Sequence, residues 1–120
     1  MNQLDVFNYS NFRSYLHDYI LEKKKSTKNF SLSQMAKKMG LANTASLSRV
    51  VKGDREPGQD ISDKLIRYFD FSEGQSSYFR YLVLLEKAKK DPQLKVMLME
   101  KLRDLHPQKK FHLLDEKTFR

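Results

Sequence analysis

A run of short polar side chains, Asn43, Thr44, Ser46 and Ser48, leads into Arg49, with Ala45 among them and Leu47, Val50 and Val51 interleaved. The hydroxyls and the amide both donate and accept hydrogen bonds, and the arginine adds a planar donor fork that fits paired acceptors. If the run is helical, Leu47, Val50 and Val51 fall at i, i+3 and i+4 and turn inward, leaving the polar groups on the outer face. That arrangement suits the reading of a polar surface. It does not suit turnover: there is no Gly-rich phosphate loop, no nucleophile motif and no carboxylate pair in an apolar setting. We expect no enzyme and no cofactor. His17, His106 and His112 share no metal-ligand spacing and are expected to be surface or packing residues.

The charge around this run points to an anionic partner. Between Glu22 and Arg55 stand nine basic residues (Lys23, Lys24, Lys25, Lys28, Lys37, Lys38, Arg49, Lys52 and Arg55) against Glu22 and Asp54, a net of +7 out of +8 for the chain. The remainder is nearly balanced. A basic block in a balanced chain suggests nucleic acid, or else a solvated face. The Lys23–Lys25 run can track phosphates or can offset a helix dipole. Arg49 can meet a base, or pair with Asp54 or Asp60.

The elements that must position these residues are helices. Ser10 is expected to cap the first, whose stripe is Phe12, Tyr15, Leu16, Tyr19 and Ile20 and which runs to about Lys25. Ser31 with Gln34 makes an S-x-x-Q capping box for the second, with Phe30 as a hydrophobic staple and Leu32, Met35, Ala36 and Met39 as its stripe. Gly40 ends it and Leu41 re-enters the core. The third helix starts at Asn43 or Thr44 and stops at Gly53. A turn with Pro57 leads to a fourth, with Ile61, Leu65, Ile66 and Phe69 inward and Phe71 beyond it. Ser72 caps a fifth that runs to about Lys90, with Tyr78, Phe79, Leu82, Val83, Leu85 and Leu84 apolar. Asp91 and Pro92 open a sixth along Leu94, Leu98, Leu102 and Leu105, flanked by Met97 and Met99 and stopped by Pro107. The tail from Gln108 to Arg120 has no clear period. The aromatic residues of the first helix are expected in the core.

The stretch Phe30 to Gly58 resembles the helix-turn-helix of the phage-repressor type (lambda repressor-like, XRE-like). Ala36 stands at the tight packing position, Gly40-Leu41 in the turn, Leu47 and Val50 inward, and Arg49, Lys52-Gly53 and Arg55 where that superfamily often has basic residues. The likeness spans roughly 30–71. It implies an all-α bundle of about five helices plus a C-terminal helix, with a recognition helix at about 44–52 in the major groove of double-stranded DNA. It implies base-facing roles for Asn43, Thr44, Ala45, Ser48 and Arg49, and phosphate roles for Ser31, Gln34, Lys37, Lys52 and Arg55. Two departures stand out. Leu32 occupies a position where the superfamily often has a polar residue, and the turn before the third helix is slightly longer. A wider likeness carries the Tyr9-x-x-Phe12-Arg13-x-Tyr15-Leu16 start, Tyr78-Phe79, Leu82-Val83 and Ala88-Lys89. It is to a family of bacterial helix-turn-helix proteins whose longer members continue into a C-terminal region near Leu113–Phe119.

We therefore expect a cytoplasmic transcriptional regulator with residues 1–90 as the DNA-binding domain (motif 31–53) and residues 91–120 as a dimerisation element or a junction to a further domain. One such motif reads only a short half-site, so a homodimer is expected. The alternatives are a protein-interaction or oligomerisation module on the same scaffold, and an RNA-binding domain. With no Cys, disulfides and thiolate zinc sites are excluded. No apolar run approaches the ~20 residues of a membrane span. The first ten residues lack the pattern of a signal peptide.

Overall fold

In a computed structural model that describes residues 4–107, a side chain accepts a first-turn amide at the start of every α-helix but the one opened by Gly58. Asn11 accepts from the Arg13 and Ser14 amides at 2.8 and 3.0 Å and opens α1, Phe12–Ser26. The cap is thus Asn11 rather than the expected Ser10, because its carboxamide oxygen reaches two amides at once. Ser31 caps α2, Leu32–Met39, by accepting from the Gln34 amide at 3.1 Å. Among the described hydrogen bonds the return half of that capping box is not made. It is made at Ser72, where Gln75 takes the cap amide at 2.8 Å. The two caps differ in φ, −146° at Ser31 and −69° at Ser72.

Helix α3 is Ala45–Lys52, and α4 is Gln59–Phe69. Helix α5 is Glu73–Lys87, and α6 is Pro92–Leu105, opened by Asp91 with Pro92 in the first turn. Helix α5 stops three residues before the expected Lys90. The Ala88 amide still closes on Leu84 and Leu85, but Asp91 then folds back on Ala88 in a tight turn. Among the described residues there is no strand, so the protein is an all-α bundle.

The core is aromatic. Phe12, Tyr15 and Leu16 of α1 meet Leu65 of α4 and Phe79 and Leu82 of α5, all close to fully buried. The Tyr15 ring lies 5.1 Å from Phe69 and 5.9 Å from Phe71 in tilted or edge-on packing, a preferred aromatic geometry. The first-helix aromatics are therefore core, as expected. Tyr19 sets its edge against Phe30 at 6.3 Å, so Phe30 packs under α1. His106 packs near Phe7 and Tyr78.

Two leucines of the outer layer are left exposed, on an α5 face and an α6 stripe that the sequence left open between core and a partner. Leu84 is 45% exposed and Leu94 39% exposed. The inward arc of α5 is Tyr78, Phe79, Leu82 and Val83, and Leu84 falls on the opposite side of the helix. Helix α6 packs on α5, burying Leu98 and Leu102, and this leaves Leu94, Val96, Met97 and Met99 outside. The expectations for His112 and for the tail from Gln108 onward lie outside the described residues.

Candidate nucleic-acid interface

The turn between α2 and α3 is fixed by backbone chemistry. Gly40 takes φ +84°, a left-handed conformation that a Cβ penalises, and its amide bonds the Lys37 carbonyl at 3.0 Å. The Leu41 amide then reaches back to the Ala36 carbonyl at 3.0 Å, completing a Schellman-type stop. Met35, Ala36 and Met39 below this turn are buried, as are Leu47 and Val50 of α3. Gly53 ends α3 in the same way, at φ +90°, its amide closing on Arg49 and Val50.

The N-terminal end of α3 is held by two side chains. Thr44 holds the cap position but makes no capping bond; Asn43 accepts from the Ala45 amide at 3.0 Å instead. Thr44 is turned to α2, where its hydroxyl bonds Ser33 at 3.3 Å. Both candidates for the cap thus contribute, each in a different way.

With Leu47 and Val50 inward, the outer face of α3 carries Ala45, Ser48, Arg49 and Lys52, spaced at i, i+3, i+4 and i+7. Ala45, Arg49 and Lys52 are exposed; Ser48 and Thr44 are half-buried at the edge. Of the expected base-facing set, the fold therefore brings Ala45, Ser48 and Arg49 onto one strip and draws Asn43 and Thr44 into holding the helix start. Of the expected phosphate set, Gln34, Lys37, Lys52 and Arg55 are exposed and Ser31 is half-buried at the start of α2. Leu32 is partly buried and packs against the core, so it is lost to the surface.

Among the described residues no ion pair engages Arg49, Lys52 or Arg55. Arg49 thus does not take the Asp54 or Asp60 pairing left open by the sequence; Asp60 instead pairs with Lys64 at 2.9 Å. Three unneutralised cations on one helix and the turn after it leave a surface that attracts anions.

Three residues that sequence reasoning assigned no role at this site, Arg13, His17 and Glu86, hold the face from behind. Arg13 Nε donates to the Val50 carbonyl at 2.8 Å, and Arg13 Nη1 pairs with Glu86 at 3.2 Å. His17 Nε2 lies 2.7 Å from the Val51 carbonyl, so His17 is an exposed residue with a bonding role. Glu86 lies 73 positions from Arg13, and no local pattern could have linked the two. Ser33 was equally unmarked, although its place as the second residue of the motif's first helix was a usable signal.

Among the described residues no group of three or more His, Asp or Glu side chains could hold a metal ion, and no helix is long and apolar enough to cross a membrane. No protein-family model matches this chain, and no solved structure does. A curated relative does. The uncharacterised helix-turn-helix-type transcriptional regulator YvzC of Bacillus subtilis (strain 168) is 34% identical over 65 residues, 54% of this chain and 82% of that regulator. At that identity, and with most of the relative's length spanned, the chain belongs to the helix-turn-helix-type transcriptional regulators.

Proposed function

We propose that this protein regulates transcription by sequence-specific binding to double-stranded DNA, with α3 laid in the major groove in the manner of phage-repressor-type domains. The observation that carries this reading is the outer strip of α3. Short side chains at Ala45 and Ser48 allow close approach to the groove floor, and Arg49 beside them has its donor fork free for a guanine edge. Lys52 and Arg55, with Lys37 and Gln34 on α2, flank the strip and suit phosphate contacts on either side. The first amides of α2 add a favourable end for an anion.

Residues 1–90 serve in this reading as the DNA-binding part, and residues 91–120 as the oligomerisation part of a cytoplasmic homodimer. Helix α6 leaves Leu94, Val96, Met97 and Met99 exposed beside the Leu98 and Leu102 that it buries, and such apolar surface calls for cover beyond one neighbour. A second copy supplies that cover and also the second half-site reader.

The test is fluorescence anisotropy with a random-sequence duplex of about 30 base pairs, three helical turns, titrated across salt. Binding that weakens linearly in log–log salt, with a slope of several phosphates, supports the reading and permits selection of a specific site from a random library. No binding at low salt would move the function to protein interaction.

A further inference from the structure

We propose that Arg13 is a positioning residue for the recognition helix: it ties the C-terminal end of α3 to α5 through Glu86, and selective DNA reading depends on it although it is turned inward. The proposal builds on the DNA-binding reading above. Helix α3 has only eight residues, too few to hold its own geometry. Its direction is therefore set by what grips its ends. At the far end the carbonyls of the last turn have no partner within the helix.

Beyond the Gly53 amide, which already bonds the Val50 carbonyl at 3.2 Å, Arg13 adds a partner from outside the helix, with one side chain and three directions. Nε donates to the Val50 carbonyl at 2.8 Å, Nη2 to the Arg55 carbonyl at 3.5 Å, and Nη1 meets Glu86 at 3.2 Å. The grip thus spans α1, α3, the following turn and α5. Both charged side chains are mostly covered, 15% exposed for Arg13 and 18% for Glu86, so solvent screens them less than a surface pair. A cation at a helix C-terminus also faces the favourable end of the dipole. Glu86 is held in turn by Lys89 at 3.4 Å and by the Asn11 carboxamide at 3.5 Å. The guanidinium lies against the end of α3: a Cβ added at Gly53 would stand in ordinary contact with it, 3.6 Å from Arg13 Nε. A lysine has one point charge and no fork, so it cannot serve all three partners.

The Val50 carbonyl lies one residue from Arg49 and two from Lys52. Loosening it lets the last turn of α3 shift, and pre-organisation of Arg49 against a base edge is lost first. Phosphate contacts tolerate such a shift better, because they are less directional.

The experiment compares two duplexes, a site selected from a random library and a random sequence, with wild type, Arg13→Lys, Arg13→Met and Glu86→Gln. Arg13→Met and Arg13→Lys are expected to weaken the selected site about tenfold, the size of one lost base contact. Random-duplex affinity should stay within about twofold, with the salt slope unchanged. The double variant Arg13→Met/Glu86→Gln should lose no more than Arg13→Met, since Glu86 acts through Arg13. Amide hydrogen exchange gives a readout independent of DNA. Gly53 and Asp54 should exchange faster in Arg13→Met, while Gly40 and Leu41 keep their rates. If Arg13→Met does not fold, Glu86→Gln carries the same two readouts. A folded variant with wild-type affinity for the selected site overturns the proposal, and so does a parallel loss on both duplexes. If wild type binds neither duplex, the DNA reading itself fails; the grip is then judged by exchange alone, and unchanged Gly53 exchange overturns it.

Discussion

The hydroxyls of Tyr19 on α1 and Tyr68 on α4 lie 2.7 Å apart, one donating to the other across the aromatic core. The bond needs at least one protonated phenol, and burial, followed by that bond, pushes the Tyr19 pKa well up. Burial likewise raises Tyr78, and burial together with the Asp18 carboxylate raises Tyr9 to about 12. The fold therefore prefers the neutral phenols. Their contribution is fully present below the ordinary phenol pKa near 10 and is lost as pH climbs toward 12. The urea midpoint should hold level up to about pH 10 and then fall, in step with tyrosinate absorbance. In Tyr19→Phe/Tyr68→Phe the alkaline fall should shrink; an identical fall would show that other groups cause it.

Arg49 and Lys52 share one face of α3 but should fail differently. Arg49→Ala should weaken a selected site by about 1–3 kcal/mol and relax preference at one base pair. Lys52→Ala should weaken every duplex alike and flatten the salt slope by about one. The check is anisotropy on selected and random duplexes at several salt concentrations. Two variants indistinguishable from wild type would remove α3 from the interface.

Gly40 sits at φ +84°, where a side chain is strained whatever the space around it. Gly40→Ala should cost about 1–2 kcal/mol, the penalty of a left-handed L-residue. Urea unfolding followed by circular dichroism measures it. An unchanged midpoint would mean that the turn can rebuild without its left-handed residue.

Leu84 and Leu94 border a shallow apolar hollow of about 140 Å³ between α5 and α6, with Lys87, Ala88 and Leu98 around it. If a second copy covers this face, Leu84→Glu with Leu94→Glu should give a monomer by sedimentation velocity at concentrations where wild type is dimeric, with helix content unchanged. Affinity for a half-site should persist while affinity for a paired site falls. A wild type that sediments as a monomer at every concentration counts against the homodimer.

Much of this protein is written locally in its sequence. The spacing of Phe12, Tyr15, Leu16 and Tyr19 marks α1, and Gly40 and Gly53 mark the stops of α2 and α3, because period and left-handed glycine act within a few residues. The clustering of cations around α2 and α3 and the free outer face of α3 were legible for the same reason. Helix boundaries were less so: Asn11 outcompeted Ser10, because neighbouring capping residues differ only in which amides they reach. The sequence left the stripe of Leu94, Leu98, Leu102 and Leu105 open between core and dimer seam, since a residue's place on its own helix does not say where the neighbouring helix ends.

The sequence by itself thus determined the helices, their order, the basic third of the chain and the polar run that becomes the outer face of α3. Only the tertiary structure decided what grips that helix. The Arg13–Glu86 pair joins residues 73 positions apart, and Thr44 meets Ser33 across the turn. Such contacts depend on how whole helices pack, and packing is set by the sum of many buried surfaces rather than by any local pattern.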